Sequence, residues 1–444
     1  MSSLFSPIKI GPAELSNRIV VAPMCQYSAD DGSATDWHLG HLGMLANSGA
    51  ALVIVEATHV ERHGRITHGC LGLYSDHNEA ALARVIGHCR RSGTAKLGIQ
   101  IAHAGRKASS QRPWEGGGPL PSGSDPWETI GPSPIPFGPN WHVPRVATLE
   151  DIARVREAFV NSAKRAVRIG FEAIELHYAH GYLAHSFLSP VSNHRTDQYG
   201  GSLENRMRFG LEVAKAVRTV VPKSIALGAR ITGSDWRDDG LSAQDAVTYS
   251  LALRAAGLDY IDVSSGGITA DTRNPTGPGY NVPIAERVKR DAGVATRVVG
   301  LITTPAQAEA IVAEGKADMV ALARAMLEFP AGKIDAGEAP FDCAVRELFE
   351  ETGYRAAEWA RAGILHNAIA YSNEGIEIWF ARSLTAHARQ LDPGEFLDVG
   401  TATLEELDDL ALRGELTDAK TLIGMLWLQN WRSGRWPLTW QTVP

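Results

Sequence analysis

Two histidines and a tyrosine stand close together in Glu175-Leu176-His177-Tyr178-Ala179-His180-Gly181-Tyr182. Imidazoles three residues apart on a tight turn can aim two ring N–H groups at one oxygen, and the Tyr182 hydroxyl adds a proton donor beside them. The set is an electrophilic clamp with a proton donor beside it. Two plainer alternatives fit the same residues. The histidines could be a hydrogen-bonded pair near a strand end, or a metal pair, which is weaker because no carboxylate or further histidine sits at ligand spacing.

The elements that position these residues follow from the apolar pattern. Gly170-Phe-Glu-Ala-Ile174 alternates apolar and polar residues and predicts a buried strand that ends where the histidines begin. In a barrel of alternating strands and helices, residues past the C-terminal end of a strand line the catalytic face. Other short apolar runs repeat along the chain: 18–24, 50–55, 97–101, 225–230, 260–264, 297–300 and 318–321. Segments of helical periodicity separate them, such as 38–47, 79–92 and the stretch from the N-cap Thr148 to about Arg168. Eight strand candidates with helical spacers predict an α/β fold, a (β/α)8 TIM barrel. Residues 108–147, rich in Gly, Pro, Ser and Trp, break the rhythm and predict a loop or small hairpin folded over the site. Barrels often seat a phosphate in the loops after strands seven and eight, here Gly300-Leu-Ile-Thr303 and Ala323-Arg324, where Arg324 supplies a charged fork. A solvent-exposed arginine after a strand is the plain alternative.

The chain has 444 residues, 44% of them hydrophobic, and a net charge of −7, with Lys and Arg scattered. That is enough for a large core and gives no sign of a nucleic-acid surface. Cys25, Cys70, Cys89 and Cys343 are too few and dispersed for a disulfide framework or zinc knuckle. No leader-like start and no run long enough to span a bilayer is present, so a cytoplasmic setting is expected.

Several stretches together resemble the old yellow enzyme family, in particular its bacterial xenobiotic-reductase branch. They are Asn17-Arg-Ile19 through Ala22-Pro-Met-Cys-Gln-Tyr27, Asp36-Trp-His38, Val55-Glu-Ala-Thr58, Gln100-Ile-Ala-His-Ala-Gly-Arg-Lys107, 175–182, Ser192-Asn-His-Arg-Thr-Asp-Gln-Tyr-Gly-Gly201 and Ala321-Leu-Ala-Arg324. The resemblance spans residues 1–327 and implies FMN across the barrel mouth. Backbone at Pro23, Met24 and Ala57 and the side chains of Gln100 and Arg230 would contact its ring, while Gly300, Ala323 and Arg324 would hold its phosphate. Cys25 would tune the ring's potential and Tyr27 would orient the substrate. The implied reaction takes hydride from NADPH or NADH and passes it to an activated alkene held by His177 and His180, with Tyr182 as the proton source. A cation such as Arg230 beside the ring's N1/O2 edge favours the reduced anion. The partner is then a small molecule, with a homodimer left open.

After Leu327 the family's usual ending is missing. Gly332, Glu338, Arg346-Glu347-Leu348, Glu350-Glu351 and Gly353-Tyr354 follow at the spacing of a Nudix box. Glu347, Glu350 and Glu351 fall at i, i+3 and i+4, so one helix face carries three carboxylates, a pattern that suits Mg²⁺. An acidic solvated helix face is the plain alternative. Downstream stretches, including Glu395, are similar to ADP-ribose-pyrophosphatase-type Nudix domains. Residues 328–444 hold only the back part of that fold, because the preceding residues belong to the barrel. The missing front strands should leave a mixed sheet with an exposed edge. Three functions follow: an FMN-dependent ene-reductase with a Nudix-derived tail, a metal-dependent nucleoside-diphosphate hydrolase carrying an inert barrel, and a barrel that binds flavin without turnover.

Overall fold

The computed structural model describes residues 2–275, 277–323, 329–332, 334, 337–366, 375–388, 399–412, 416 and 418–442. They fall into two compact units, Met1–Ala323 and Arg324–Pro444.

Eight parallel strands close the first unit into a barrel: β1 Ile19–Val21, β2 Leu52–His59, β3 Lys96–Ala102, β4 Ala173–Tyr178, β5 Ala226–Thr232, β6 Tyr260–Ser264, β7 Ala295–Val298 and β8 Met319–Leu322. Closure comes from β8 pairing with β1, Val20 opposite Ala321. Branched and small apolar residues dominate the strands, which are buried from end to end, as parallel strands covered by helices must be. Several connecting helices open on a Ser or Thr whose hydroxyl accepts a free backbone N–H. Thr148 does so for Leu149–Ile169 from the Asp151 amide at 3.1 Å, and Ser75, Ser202, Ser242 and Thr304 do the same for theirs.

Two strands run further than their apolar runs predict. β2 continues through Glu56 to His59 after an irregularity between Val55 and Thr58, and β4 continues through His177 and Tyr178, paired with Arg230 and Ile231. Polar residues are carried within both strands, so polarity there does not mark a strand end. Below, a hairpin of Ile8–Ile10 and Ala13–Leu15 packs Ile10, Ala13 and Leu15 against Leu52, Ala173, Ala226, Tyr260 and Met319, the first residues of five strands or their neighbours. It plugs the N-terminal end of the cylinder and leaves chemistry to the C-terminal end. The 108–147 insertion carries a single helical turn, Pro113–Glu115, and a two-residue pairing of Ile130–Gly131 with Arg145–Val146.

The second unit has a helix, Pro340–Thr352, ended by Gly353 in the left-handed conformation. Long antiparallel strands β9 Tyr354–His366 and β10 Gly375–Ala386 follow, and a short β11, Gln441–Thr442, pairs with β9. The pairings among the described residues are antiparallel, and β10 is an edge strand among them. Helices Leu404–Leu412 and Ala419–Arg432 complete the unit. No described helix is long and apolar enough to cross a membrane.

Candidate active site

The deepest layer of the site is a buried charge network. Gln100 on β3, Glu175 on β4, Arg230 on β5, Asp262 on β6 and Arg297 on β7 occupy five consecutive strands; Gln100 is paired with Glu175, Arg230 with Asp262 and Asp262 with Arg297, while Glu175 is paired with Gly228, two residues before Arg230. Gln100 Nε2 donates to Glu175 at 2.8 Å, and the Tyr260 hydroxyl donates to Glu175 at 3.2 Å. Arg297 bridges Glu175 and Asp262, the latter at 2.9 Å. Arg230 Nε donates to Asp262 and lies 3.9 Å from Glu175. Two carboxylates and two guanidiniums cancel, which is how charges survive in a barrel interior. Four buried atoms of this network have no hydrogen-bond partner among the described residues: Nη2 of Arg230, Oδ1 of Asp262, and Nε and Nη1 of Arg297.

Beside Arg230 on the next strand stands His177. Its Nδ1 accepts the Ala179 amide at 3.3 Å, which leaves the ring proton on Nε2. The chain then turns through His180, whose φ is +59°, and Gly181, whose φ is +75°. Glycine is required at 181, since a Cβ there would sit 2.1 Å from the Gly267 carbonyl oxygen. His180 Nε2 meets the Ser264 hydroxyl at 2.7 Å. The rings of His177 and His180 stand perpendicular with centroids 5.1 Å apart, and Tyr182 lies edge-on to His177 at 4.8 Å. Burial, aided by nearby cations including Arg230, pushes His180 down to about 3 and His177 well below its ordinary value. Both imidazoles are therefore neutral donors at neutral pH. Burial, with Cys25 and Tyr27 adding, raises the Tyr182 phenol, which stays protonated.

Behind the turn, His185 Nδ1 accepts the Gly181 amide at 2.7 Å, and its Nε2 lies 2.9 Å from Asp235. Across the mouth, Pro23 and Met24 follow β1 half-buried, and Ala57 is buried in β2. Cys25 is a free thiol raised by burial, and Tyr27, at φ +53°, meets Trp114 of the insertion edge-on at 5.8 Å. Cys25, Tyr27 and Tyr182 pack on one apolar cluster with Ile66, Cys70, Ala104 and Ala108. After β7, Gly300 has φ +135° and Leu301 +48°, and Gly279 N–H donates to both carbonyls. Ala323 is exposed; Arg324 and Glu395 lie outside the described residues.

In the second unit the box residues meet each other. Arg346 donates to both oxygens of Glu338 at 2.8 and 2.9 Å, to Glu347 at 2.8 Å and to Glu350 at 3.0 Å. Glu351 accepts the Ala331 amide at 3.1 Å. Gly332 packs so close to Glu347 that a Cβ would overlap its carboxylate. No group of three or more His, Cys, Asp or Glu among the described residues is arranged to hold a metal ion. Glu347 and Glu350 turn to Arg346, which supplies the positive charge a cation would bring.

Comparison with known proteins fits this geometry. The profile of the NADH:flavin oxidoreductase / NADH oxidase family matches residues 3–333. The chain belongs to this family. It is an NAD(P)H-dependent flavin oxidoreductase, and a NUDIX domain profile also matches residues 296–423. An NADPH dehydrogenase of Geobacillus sp. (strain WCH70) is 44% identical over 74% of this chain and 91% of its own. One of Listeria innocua is 41% identical over 74% and 93%. Among solved structures, morphinone reductase has a TM-score of 0.60 at 25% identity, covering 72% of this chain and 85% of its own. A 2-naphthoyl-CoA reductase complex has a TM-score of 0.65 at 25% identity, with 72% of this chain spanning 50% of that one. The two profiles overlap at 296–333. The front of the Nudix match thus falls on β7 and β8, which are staves of the flavin-oxidoreductase barrel.

Glu175, Asp262, Arg297 and the His185–Asp235 pair carry no role in the sequence-based expectations. A signal was available for two of them: Glu175 and Asp262 are each a charged residue flanked by apolar ones in a buried strand, whereas Arg297 follows Thr296.

Proposed function

We propose that the barrel binds FMN and reduces activated C=C bonds of small molecules at the expense of NADPH or NADH, with residues 1–327 as the flavin domain and 328–444 as a Nudix-derived segment. The observation that carries this is the side-by-side placement of His177 and Arg230, with His180 and Tyr182 closing around the same mouth. The donor set fits a flavin. A buried guanidinium with one unpaired N–H suits an anionic ring edge, and Gln100 offers an amide beside it. Backbone at Pro23, Met24 and Ala57 would flank the ring, and Gly300, Ala323 and Arg324 would take the phosphate. A flavin held by these residues would supply the hydride transfer between the nicotinamide and the alkene's β-carbon.

The chain's own groups do the rest. His177 Nε2–H donates to the substrate carbonyl oxygen. In the tautomer where His180 Nε2 accepts from the Ser264 hydroxyl, the other ring nitrogen carries the N–H that would donate to the same oxygen. These donors bind more strongly as that oxygen becomes enolate-like. Tyr182 gives its proton to the α-carbon, and Cys25 and Tyr27 wall the pocket on the β1 side. For the second unit we derive no metal-dependent step: Arg346 donates to Glu347 and Glu350, and Glu351 accepts the Ala331 amide.

The full-length protein should be yellow, release FMN on denaturation, bleach with NADPH, and regain colour faster when 2-cyclohexenone or a maleimide is added. A colourless preparation that FMN cannot reconstitute would overturn the assignment.

A further inference from the structure

We propose that Lys107 is a positioning residue for the proton-transfer step: its ammonium fixes the His180 turn and lies across the Tyr182 ring, where it stabilises the phenoxide left when Tyr182 gives up its proton. The inference rests on the reduction proposed above.

Lys107 ends the helical turn Gly105–Lys107 that follows β3. Its Nζ donates to the His180 carbonyl at 2.9 Å, lies 5.1 Å from the centroid of the Tyr182 ring and 4.3 Å from that of Phe137. The turn beneath it is pinned: Arg106 donates to the carbonyls of Ile135 and Pro136 at 3.1 and 3.2 Å and to that of Ile268, and Ser110 donates to the Lys107 carbonyl at 2.8 Å. The ammonium therefore sits between three segments and has little freedom to leave the rings.

No carboxylate pairs with it among the described residues, whereas Arg230 and Arg297 each have one. A sheltered ammonium faced by a carbonyl and two aromatic faces is only partly compensated. Such a charge favours any anion that forms beside it, and the step proposed above forms one. The α-carbon's new C–H bond takes the enolate's electron pair as the Tyr182 O–H bond breaks, so the negative charge passes to the Tyr182 oxygen until water returns a proton. Arg106, His177, His180 and Tyr182 are the titratable or charged groups around Lys107. Burial, with Arg106 adding, lowers its ammonium to about 8, so the charge is present at neutral pH and lost just above it.

The test separates the two half-reactions of the flavin-loaded full chain by rapid mixing. Lys107→Met should slow reoxidation by 2-cyclohexenone by roughly 10- to 100-fold, the effect of removing one opposite charge from an ionising group. Flavin reduction by NADPH should change by less than about twofold on the same grounds. Lys107→Arg should restore most of the reoxidation rate, and the wild-type decline above pH 8 should vanish in Lys107→Met. In the resting protein, one lysine ¹⁵Nζ resonance, absent from Lys107→Met, should titrate near 8. Equal slowing of both half-reactions, or unchanged reoxidation in Lys107→Met while Tyr182→Phe slows it, would overturn the role of Lys107. If Tyr182→Phe itself leaves reoxidation unchanged, the assignment of the proton donor fails first.

Discussion

Replacing Arg297 with methionine removes one of the two positive charges that balance Glu175 and Asp262 while keeping much of the side chain's volume. Arg297 is fully buried, and its guanidinium touches both carboxylates. Deleting one partner of a buried ion pair costs about 3–5 kcal/mol, because the other charge stays behind without compensation. Unfolding a unit of 323 residues carries an entropy of roughly 0.7 kcal/mol/K, so the midpoint should fall by about 4–7 °C. The pH dependence gives a second signature. Burial opposes ionisation of Asp262, but Arg230 and Arg297 outweigh it and hold the carboxyl below its ordinary range. In the native protein that stability is present above the unfolded value of about 3.9 and lost as pH falls below it. Without Arg297, burial dominates and a carboxyl rises above its unfolded value, so the variant loses stability as pH increases through that raised value. Calorimetry from pH 5 to pH 8 should show a deficit relative to wild type that grows with pH. A midpoint equal to wild type throughout, or a deficit that shrinks as pH rises, would refute the charge-balance reasoning.

Three further outcomes are expected. His177→Ala and His180→Ala should each slow reoxidation by an enone by about 10²-fold or more, through loss of a donor to the developing oxyanion; rapid mixing checks this, with NADPH-driven flavin reduction as the control. Because burial keeps both imidazoles neutral, His180 down to about 3, affinity for a saturated ketone should be flat between pH 5 and pH 7.5. A binding inflection near the ordinary histidine value would contradict it. Magnesium-dependent release of AMP from ADP-ribose should be absent, since Glu347 and Glu350 are held by Arg346; release that disappears in Glu351→Gln would show that the box opens for a cation.

The barrel was legible because parallel strands covered on both faces must be apolar, and helices between them open on visible Ser and Thr caps. Legibility failed where function places polar groups inside strands. The runs that end at Val55 and Ile174 in hydropathy continue as β2 and β4, because backbone pairing with β3 and β5 holds regardless of what the side chains carry. His177 is therefore a strand residue beside Arg230, while only His180 belongs to the turn. Charge pairing across strands is equally hidden in one dimension: nothing in the spacing of Glu175, Asp262 and Arg297 announces that they meet. In the second unit the helix under the Nudix box was readable from its i, i+3, i+4 carboxylates, but not the way Arg346 gathers them.

Barrel closure has a consequence for how the protein comes into being. Val20 pairs with Leu52 on one side but finds its β8 partner only when Ala321 has been made, and the staves on either side of that seam stay unjoined until then. At about 5–20 residues per second, synthesis of the intervening chain takes on the order of 15–60 s. During that interval the ribosome carries an open, curling sheet whose two raw edges are the first and last strands, and a nascent chain stopped short of residue 322 has no seam to seal.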